Sequence, residues 1–182
     1  QIDNARITMP NTKYNLIVND ITKLSDTIRR AFTIAQTGRP GPVLIDITKD
    51  VTANTCDYEY KAPEPIVRQN STIREEDMEK ALYLIRNAKK PFIFAGGGAV
   101  IADAADELKA FAHKIQAPVA DSLMGKGAFD GTDELYTGMV GMHGTKTSNF
   151  GITECDLLIV VGARFSDRVT GNAAKFAPKE KR

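Results

Sequence analysis

Two arginines and an aspartate follow an apolar run near the carboxyl end of the chain. The run "LLIVVG" (157–162) has the composition of a buried strand, and Arg164, Asp167 and Arg168 come directly after it in "ARFSDRVTG". A solvated turn with a local ion pair would contribute little energy. The guanidinium group, however, is planar and permanently charged, and it suits carboxylates and phosphates. Two such groups beyond a strand therefore indicate a site for an anion or a polar ring.

A run of three glycines indicates either a strand-to-helix turn or a ligand loop. In "AGGGA" (95–99), the glycines would let the backbone turn tightly and approach a ligand, and the helix that follows would offer N–H groups to an anion. The third glycine of the dinucleotide fingerprint is missing, because Ile101 stands at its position. The run alone leaves both interpretations open.

Asp121 and His143 are further candidates for ligand contact. Asp121 ends the next apolar segment, about where a ribose-binding acid lies in a nicotinamide dinucleotide site, which keeps an NAD-dependent oxidoreductase open as an alternative. His143 is bracketed by Gly141 and Gly144 in "GMHGT", so its ring is expected to reach a ligand. His113 lies in a charged helical segment and is expected to be solvated.

Alternating helices and strands would position these segments. Asp20 predicts an N-cap for the first helix, and Gly151 weakens the last one. The alternation predicts an α/β fold with a doubly wound, mostly parallel sheet, in which ligands bind beyond the carboxyl ends of the strands. The predicted helices are residues 21–38, 74–90, 105–115 and 144–154. The predicted strands are residues 43–47, 91–95 running into the glycines at 96–98, 117–121 and 156–162.

A linker is predicted between two domains. From Thr48 to Thr72 the chain shows little periodicity, and Pro63 and Pro65 favour extended backbone. After it, residues 74–90 carry Met78, Ala81, Leu82, Ile85 and Ala88 on one helical face. We therefore expect a first domain at residues 1–50, a linker at residues 51–72 and a second domain at residues 73–182.

Composition argues against several functional classes. The formal net charge is +1 and the basic residues are scattered, which gives no electrostatic footprint for nucleic acid or an acidic membrane surface. Cys56 and Cys155 lie far apart without a CxxC pattern, so neither a disulfide framework nor a zinc site is indicated, and a reducing compartment is expected. No apolar stretch approaches membrane-spanning length.

Five motifs together resemble one enzyme family. "TKYNLIV", "TGRPGPVLIDITKDV", "LMGKGAF", "GMVGMHGT" and "VGARFSDRVTGN", in this order, resemble the large catalytic subunits of the acetohydroxyacid (acetolactate) synthases, which are thiamine-diphosphate enzymes. The resemblance implies that residues 1–50 are the C-terminal part of a pyrimidine-binding domain. It implies that residues 73–182 are a Rossmann-like central FAD-binding domain, incomplete at its C-terminus.

The resemblance also implies which residues contact the flavin, which does no net redox chemistry in this family. One contact, Arg39, lies in the first domain, and the others follow the predicted strands of the second. The implied flavin contacts are Arg39, Gly96, Gly97, Gly98, Ser122, Leu123, Met124, Val140, Gly141, Met142, His143, Gly162, Ala163 and Arg164.

Four positions match the family's substrate region. Arg168 matches an arginine thought to hold the carboxylate of the second 2-oxo acid, and Met142 also faces the active site in relatives. Lys13 and Lys49 match lysines near the substrate channel, which is also a herbicide site, although both could simply be solvated surface lysines. No metal ligand is implied within this chain.

Two positions depart from the family pattern. Ser166 stands where many relatives have a second aspartate, and Lys126 replaces a residue that is usually apolar. A polar contact to the flavin is therefore expected to be weaker at Ser166.

The implied reaction decarboxylates pyruvate and joins its two-carbon unit to a second pyruvate or to 2-oxobutanoate, in branched-chain amino-acid biosynthesis. The activating glutamate and the GDG-type motif for thiamine diphosphate and Mg²⁺ are absent from these residues, so we expect the chain alone to be inactive. A homo-oligomer, in the bacterial cytoplasm or a plant plastid, is implied, and a regulatory small subunit stays open. A non-flavin thiamine-diphosphate decarboxylase and a purely structural domain remain alternatives.

Overall fold

The computed structural model describes residues 3–63, 65, 73–172 and 176–178, and the chain divides into two compact units, Gln1–Thr72 and Ile73–Arg182. The first unit contains α1 (Asn4–Thr8), a 3₁₀ turn (Met9–Asn11), β1 (Tyr14–Val18), a 3₁₀ turn (Ile21–Lys23), α2 (Leu24–Gln36), β2 (Val43–Ile47) and α3 (Lys49–Ala53). The second contains α4 (Glu75–Asn87), β3 (Pro91–Ala95), α5 (Gly97–Ile101), α6 (Ala105–Ile115), β4 (Val119–Asp121), a 3₁₀ turn (Leu123–Gly125), β5 (Tyr136–Met139), α7 (Lys146–Glu154), β6 (Leu157–Val161) and α8 (Asp167–Thr170).

In the first unit, two parallel strands are joined by a helical crossover. β1 and β2 pair along their whole length, and α2 packs against both strands. The predicted N-cap is confirmed, since Asp20 Oδ1 accepts the backbone N–H of Thr22 at 3.0 Å. Asp20 caps the 3₁₀ turn, however, so α2 begins only at Leu24.

Two elements of the first unit lie outside the predicted ones. β1 is short and contains the polar Asn15. A search for continuous apolar runs therefore does not identify it as a strand. α3 occupies the start of the stretch expected to lack regular structure, where Val51 is only 3% exposed. That expectation is wrong for residues 49–53, because one buried side chain is enough to dock a short helix. Residues 64 and 66–72 of the predicted linker lie outside the described residues.

The second unit is built on one parallel sheet. The strand order is β5-β4-β3-β6, and all three neighbouring pairs are parallel. Because the order reverses between β3 and β6, the sheet is doubly wound, and the predicted α/β class is confirmed.

Helices cover both faces of this sheet. On one face, Ile93 and Val119 pack with Leu108 and Ala112 of α6. The opposite face carries a second buried cluster, Phe92, Phe94, Ala120, Val140, Ile152, Cys155 and Ala177. Gly151 allows α7 to lie on this second face, because a Cβ atom there would come within 2.2 Å of the Phe92 ring. The glycine that weakens the helix in sequence is therefore what lets it pack.

β5 is absent from the predicted strands, and its irregularity explains why. Its pairing with β4 shifts register between Val119 and Ala120, so Tyr136 and Gly138, not consecutive residues, face consecutive partners. A glycine inside a strand commonly marks such a bulge and breaks the alternation that identifies strands.

α4 forms as predicted, but most of its apolar face is uncovered. Ile85 and Ala88 are partly buried, whereas Met78, Ala81 and Leu82 are exposed, and α4 has no fully buried residue within the described part of the chain. Amphipathic spacing thus identified the helix and not the extent of its packing. Among the helices that the structure describes, none has the length and apolar character needed to cross a bilayer.

Candidate functional site

Four segments meet at the carboxyl edge of the second unit's sheet. Residues 96–98 follow β3, residues 122–124 follow β4, residues 140–143 follow β5, and residues 162–164 follow β6. Because the four strands are parallel neighbours, their carboxyl ends lie on the same edge. The structure therefore brings together all the sequence-predicted flavin residues except Arg39. We call these four segments the strand-end surface.

The glycine run is required by contacts between two of these segments. Gly96 N–H donates to the Val161 carbonyl at 2.9 Å, and Gly98 N–H donates to the Gly162 carbonyl at 2.8 Å. A Cβ atom on Gly96 would lie 2.3 Å from Ala163 Cα, closer than real Cβ contacts come. Backbone packing between the β3 and β6 turns therefore accounts for the glycines at positions 96 and 98.

The strand-end surface combines exposed apolar side chains with positive charge. Leu123, Met124 and Met142 are 72%, 74% and 71% exposed, although apolar residues of this size are usually buried. Phe165 is half exposed beside the exposed Arg164. This combination of side chains suits a large ligand with an apolar ring system and an anionic group.

The two residues expected to face the substrate are in backbone contact. Met142 N–H donates to the Arg168 carbonyl at 2.9 Å. Gly141, with φ +106°, allows this approach, because a Cβ atom on it would lie 2.6 Å from that same carbonyl oxygen. A cavity of about 440 Å³ borders Gly141, Met142, Asn149 and Arg168.

Ser166 precedes this contact at the start of α8. It occupies the N-cap position, and its carbonyl accepts the N–H groups of Val169 and Thr170, each at 2.9 Å. The Ser166 side chain makes no capping hydrogen bond, so the turn that presents Arg168 is closed by backbone hydrogen bonds.

α7 holds the segment after β5 through three polar side chains. Thr145 caps α7 and donates its hydroxyl to the Thr137 carbonyl at 2.7 Å. Ser148 is buried and hydrogen-bonds to the hydroxyl groups of Thr137 and Thr145. Asn149 contacts both backbone groups of Gly141, with distances of 3.0 and 3.1 Å.

Asp121 is buried in a polar cluster instead of facing a ribose. Its side chain is 1% exposed, its Oδ2 accepts the Tyr136 hydroxyl at 2.8 Å, and Lys126 Nζ lies 3.2 Å from its Oδ1. Lys126 also donates to the Tyr136 hydroxyl at 2.7 Å, and this hydrogen bond, with Asp121 next, raises the pKa of Lys126. Burial raises the pKa of Tyr136. The ribose-binding role considered for Asp121, and the NAD-dependent alternative with it, is therefore not favoured.

His113 is partly solvated, as predicted, with a side chain 37% exposed, but nothing in the sequence indicated its partner. Its Nε2 donates to Asp133 at 2.9 Å, because the β4–β5 connection folds Asp133 over α6. The Asp133 side chain is 5% exposed and also lies 3.2 Å from Lys109 Nζ. The pKa of Asp133 is lowered to about 2, mainly by the hydrogen bond from His113 and next by the one from the Leu135 N–H. His143, in contrast, is exposed on the strand-end surface, and its contact with a ligand stays a prediction.

The remaining candidates belong to the first unit and are not brought together. Lys13 precedes β1, and its ammonium donates to the Thr37 carbonyl at the end of α2, where a cation is favourable. Arg39 is exposed in the loop before β2. Lys49 begins α3 beyond the carboxyl end of β2. Since β1 and β2 are parallel, Lys13 and Lys49 lie at opposite ends of the sheet, separated by roughly the 16 Å length of a five-residue strand.

Sequence reasoning missed Asn149 and Tyr136. Asn149 lies within a helix, where asparagine is an unfavourable residue unless its side chain is used, and that cost is the signal that could have found it. Tyr136 belongs to the unpredicted β5. Over residues 3–63, 65, 73–172 and 176–178, no group of three or more His, Cys, Asp or Glu side chains could hold a metal ion.

Comparison with known proteins identifies the relatives. The chain is similar to the acetolactate synthase large subunit of Parasynechococcus marenigrum (strain WH8102), with 48% identity over 95% of the chain and 29% of the relative. It is 45% identical to the probable acetolactate synthase large subunit of Methanocaldococcus jannaschii, over the whole chain and 32% of the relative. It is 44% identical to the acetolactate synthase large subunit of Corynebacterium glutamicum, over the whole chain and 29% of the relative.

The chain thus spans about a third of the length of these relatives. Residues 78–182 match the family model described as thiamine pyrophosphate enzyme, central domain. This match covers more than half of the chain and coincides with the doubly wound unit described above. The chain therefore belongs to the thiamine pyrophosphate enzyme family, with residues 78–182 forming the family's central domain.

Proposed function

We propose that the chain is part of the large catalytic subunit of an acetolactate synthase, which joins two pyruvates, or pyruvate and 2-oxobutanoate, with release of CO₂. The observation that carries this proposal is the 48% identity to an acetolactate synthase large subunit across nearly the whole chain. The strand-end surface supports it, because the residues of the second unit that match the family's flavin contacts lie on one sheet edge.

Within this activity, we assign the strand-end surface to FAD. The residues fit such a group, because Leu123, Met124 and Met142 offer apolar area to a ring system and Arg164 offers a guanidinium to a diphosphate. His143 and Ser122 add polar groups at neighbouring strand ends. In this proposal the flavin is held for structure and the four turns supply binding and orientation.

Arg168 is assigned to the carboxylate of the acceptor 2-oxo acid. Its guanidinium is exposed at the first turn of α8, and its backbone carbonyl is fixed by the Met142 N–H. A charge-assisted bidentate contact would orient the acceptor's keto carbon, while Met142 excludes water beside it. Of the first unit's candidates, Lys13 and Lys49 are proposed as substrate-channel residues and Arg39 as a flavin contact.

Thiamine diphosphate, bound with Mg²⁺, would supply the electron sink for decarboxylation. The residues described here do not offer a site for its metal, because no cluster of ligands occurs among them. We therefore place no contact to thiamine diphosphate or Mg²⁺ on this chain. Residues 1–50 are proposed to belong to the pyrimidine-binding domain and residues 73–182 to the FAD-binding domain, joined by residues 51–72.

The assembly is proposed to be a homo-oligomer of catalytic subunits, as the similarity to acetolactate synthase large subunits suggests. A regulatory small subunit is a further proposed partner. We propose the bacterial cytoplasm, or the plastid in a photosynthetic eukaryote, as the location, since relatives of both kinds are similar to the chain.

The test uses the complete large subunit that contains this chain, purified and supplied with thiamine diphosphate, Mg²⁺, FAD and pyruvate. We expect a yellow protein whose flavin spectrum is not bleached during turnover, together with formation of acetolactate. A protein that stays colourless after addition of FAD would overturn the flavin assignment. Pyruvate consumption that yields only acetaldehyde and CO₂ would indicate a decarboxylase and overturn the synthase.

A further inference from the structure

We propose that Asn149 is a positioning residue that sets the geometry of Met142 and Arg168 and thereby governs recognition of the acceptor acid. This inference rests on the proposed function of the same surface. It assigns to a side chain of α7 a role that is exerted through the backbone of Gly141.

The side-chain amide of Asn149 forms hydrogen bonds with both backbone polar groups of Gly141. Asn149 Oδ1 accepts the backbone N–H of Gly141 at 3.0 Å, and Asn149 Nδ2 donates to the Gly141 carbonyl at 3.1 Å. Both groups of a single residue are therefore paired with one planar amide. Such a two-point contact fixes orientation as well as distance, which one hydrogen bond does not.

The contact between Met142 and Arg168 depends on Gly141, the residue that Asn149 binds. Gly141 approaches the Arg168 carbonyl so closely that a Cβ atom would lie 2.6 Å away, and the next residue, Met142, donates to that carbonyl. A shift of Gly141 therefore moves both residues expected to face the substrate. With a cavity of about 440 Å³ beside them, side-chain packing leaves room for such a shift.

The part of α7 that carries Asn149 is itself fixed in position. Asn149 N–H donates to the Thr145 carbonyl at 3.1 Å, which fixes the Asn149 backbone in the first turn of α7. α7 also packs on the sheet through Ile152. The backbone of α7 therefore fixes the position of the Asn149 side chain, and the side chain in turn positions Gly141.

Two substitutions in the complete large subunit test this role. Asn149→Leu removes both hydrogen bonds at similar volume, and Asn149→Asp keeps the acceptor for the Gly141 N–H but places a carboxylate oxygen against the Gly141 carbonyl. Ser148→Ala is the matched control, because it removes buried hydrogen bonds from the same turn without touching Gly141. For each variant we measure the KM for 2-oxobutanoate, the ratio of the two acetohydroxy acids formed from mixed substrates, the flavin content and the melting temperature.

We expect Asn149→Leu to raise the KM for 2-oxobutanoate roughly tenfold, as loss of two hydrogen bonds to a partly buried peptide implies. The product ratio should change with it, Asn149→Asp should show a smaller shift in the same direction, and flavin should be retained. Ser148→Ala should lower the melting temperature without changing the product ratio.

Unchanged KM and product ratio in both Asn149 variants of an active enzyme would overturn the positioning role. So would a change in product ratio equal to that of Ser148→Ala, which would indicate general loosening of α7. If Asn149→Leu does not fold, Asn149→Asp decides by the same criteria. A wild-type subunit that forms no acetohydroxy acid would overturn the proposed function itself, and the inference with it.

Discussion

Met142 and Arg168, 26 residues apart in sequence, are joined by a hydrogen bond of 2.9 Å from the Met142 N–H to the Arg168 carbonyl. The contact couples the turn after β5 to the first turn of α8, so the two residues assigned to the substrate cannot move independently. It involves only backbone atoms, and either side chain can therefore be changed without breaking it. Variants at these two positions consequently report on ligand contact more than on folding.

A methyl group at Gly96 is predicted to disrupt the strand-end surface. In Gly96→Ala the added Cβ would lie 2.3 Å from Ala163 Cα, and relief requires movement of backbone. We expect a loss of about 1–3 kcal/mol in the free energy of unfolding. Chemical denaturation of the chain measures it. Gly131→Ala is the control, because its Cβ would make an ordinary 3.7 Å contact with the Tyr136 ring, and equal destabilisation by both changes would contradict this explanation.

The charges of Lys126 and Asp121 are predicted to be energetically coupled. Lys126→Met leaves the buried Asp121 carboxylate with the Tyr136 hydroxyl but without an ammonium group. Because Lys126 is half exposed and water can replace part of its contact, we expect a loss of only about 1–2 kcal/mol.

A double-mutant cycle checks this coupling. The double variant Asp121→Asn, Lys126→Met has no buried charge to leave unpaired, so it should recover most of the stability lost in Lys126→Met. The measurement is the free energy of unfolding of the four proteins of the cycle. Strictly additive effects would show that the two side chains do not interact.

The sequence was informative where local pattern and tertiary environment agree. The apolar runs of β3 and β6 identified strands that the sheet confirms, and Asp20 identified a cap. Parallel alternation then predicted that residues 96–98, 122–124 and 162–164 follow strands of one sheet, which the topology confirms. Their roles in ligand binding remain predictions, carried by family resemblance more than by residue type.

Sequence was uninformative where long-range contacts decide. β5 contains a bulge at Gly138, so its pairing with β4 is visible only in three dimensions. Asp121 looked suited to a ribose because of its place at a strand end, but Tyr136 and Lys126 enclose it from a later part of the chain. Similarly, the residues near His113 in sequence do not indicate its partner Asp133, which lies in the β4–β5 connection.

Acid is predicted to weaken the contact between Asp133 and His113. The folded-state pKa of Asp133, about 2, lies below the value of about 3.9 expected for an unfolded aspartate. The contribution of Asp133 to stability is therefore fully present above about pH 4 and is lost as the pH falls towards 2.

The melting temperature of the chain, measured from neutral pH down to about pH 2, tests this linkage. Asp133→Asn should melt at a lower temperature at neutral pH and should show a shallower decline on acidification. Glu134→Gln, at the adjacent position, is the control for loss of one carboxylate. If Asp133→Asn and wild type decline in parallel, the Asp133 contact makes no pH-dependent contribution.

In the proposed function, one edge of the sheet serves two ligands, with residues 162–164 directed to the flavin and Arg168 to the acceptor acid. The most direct measurement is the flavin content of the Arg168→Ala large subunit together with its KM for 2-oxobutanoate, with Arg164→Ala as the matched arginine variant. We predict that Arg168→Ala keeps its flavin and raises the KM by about tenfold or more, as loss of a charge-assisted contact implies, whereas Arg164→Ala loses flavin. Equal loss of flavin and of acceptor affinity in both variants would contradict the claim.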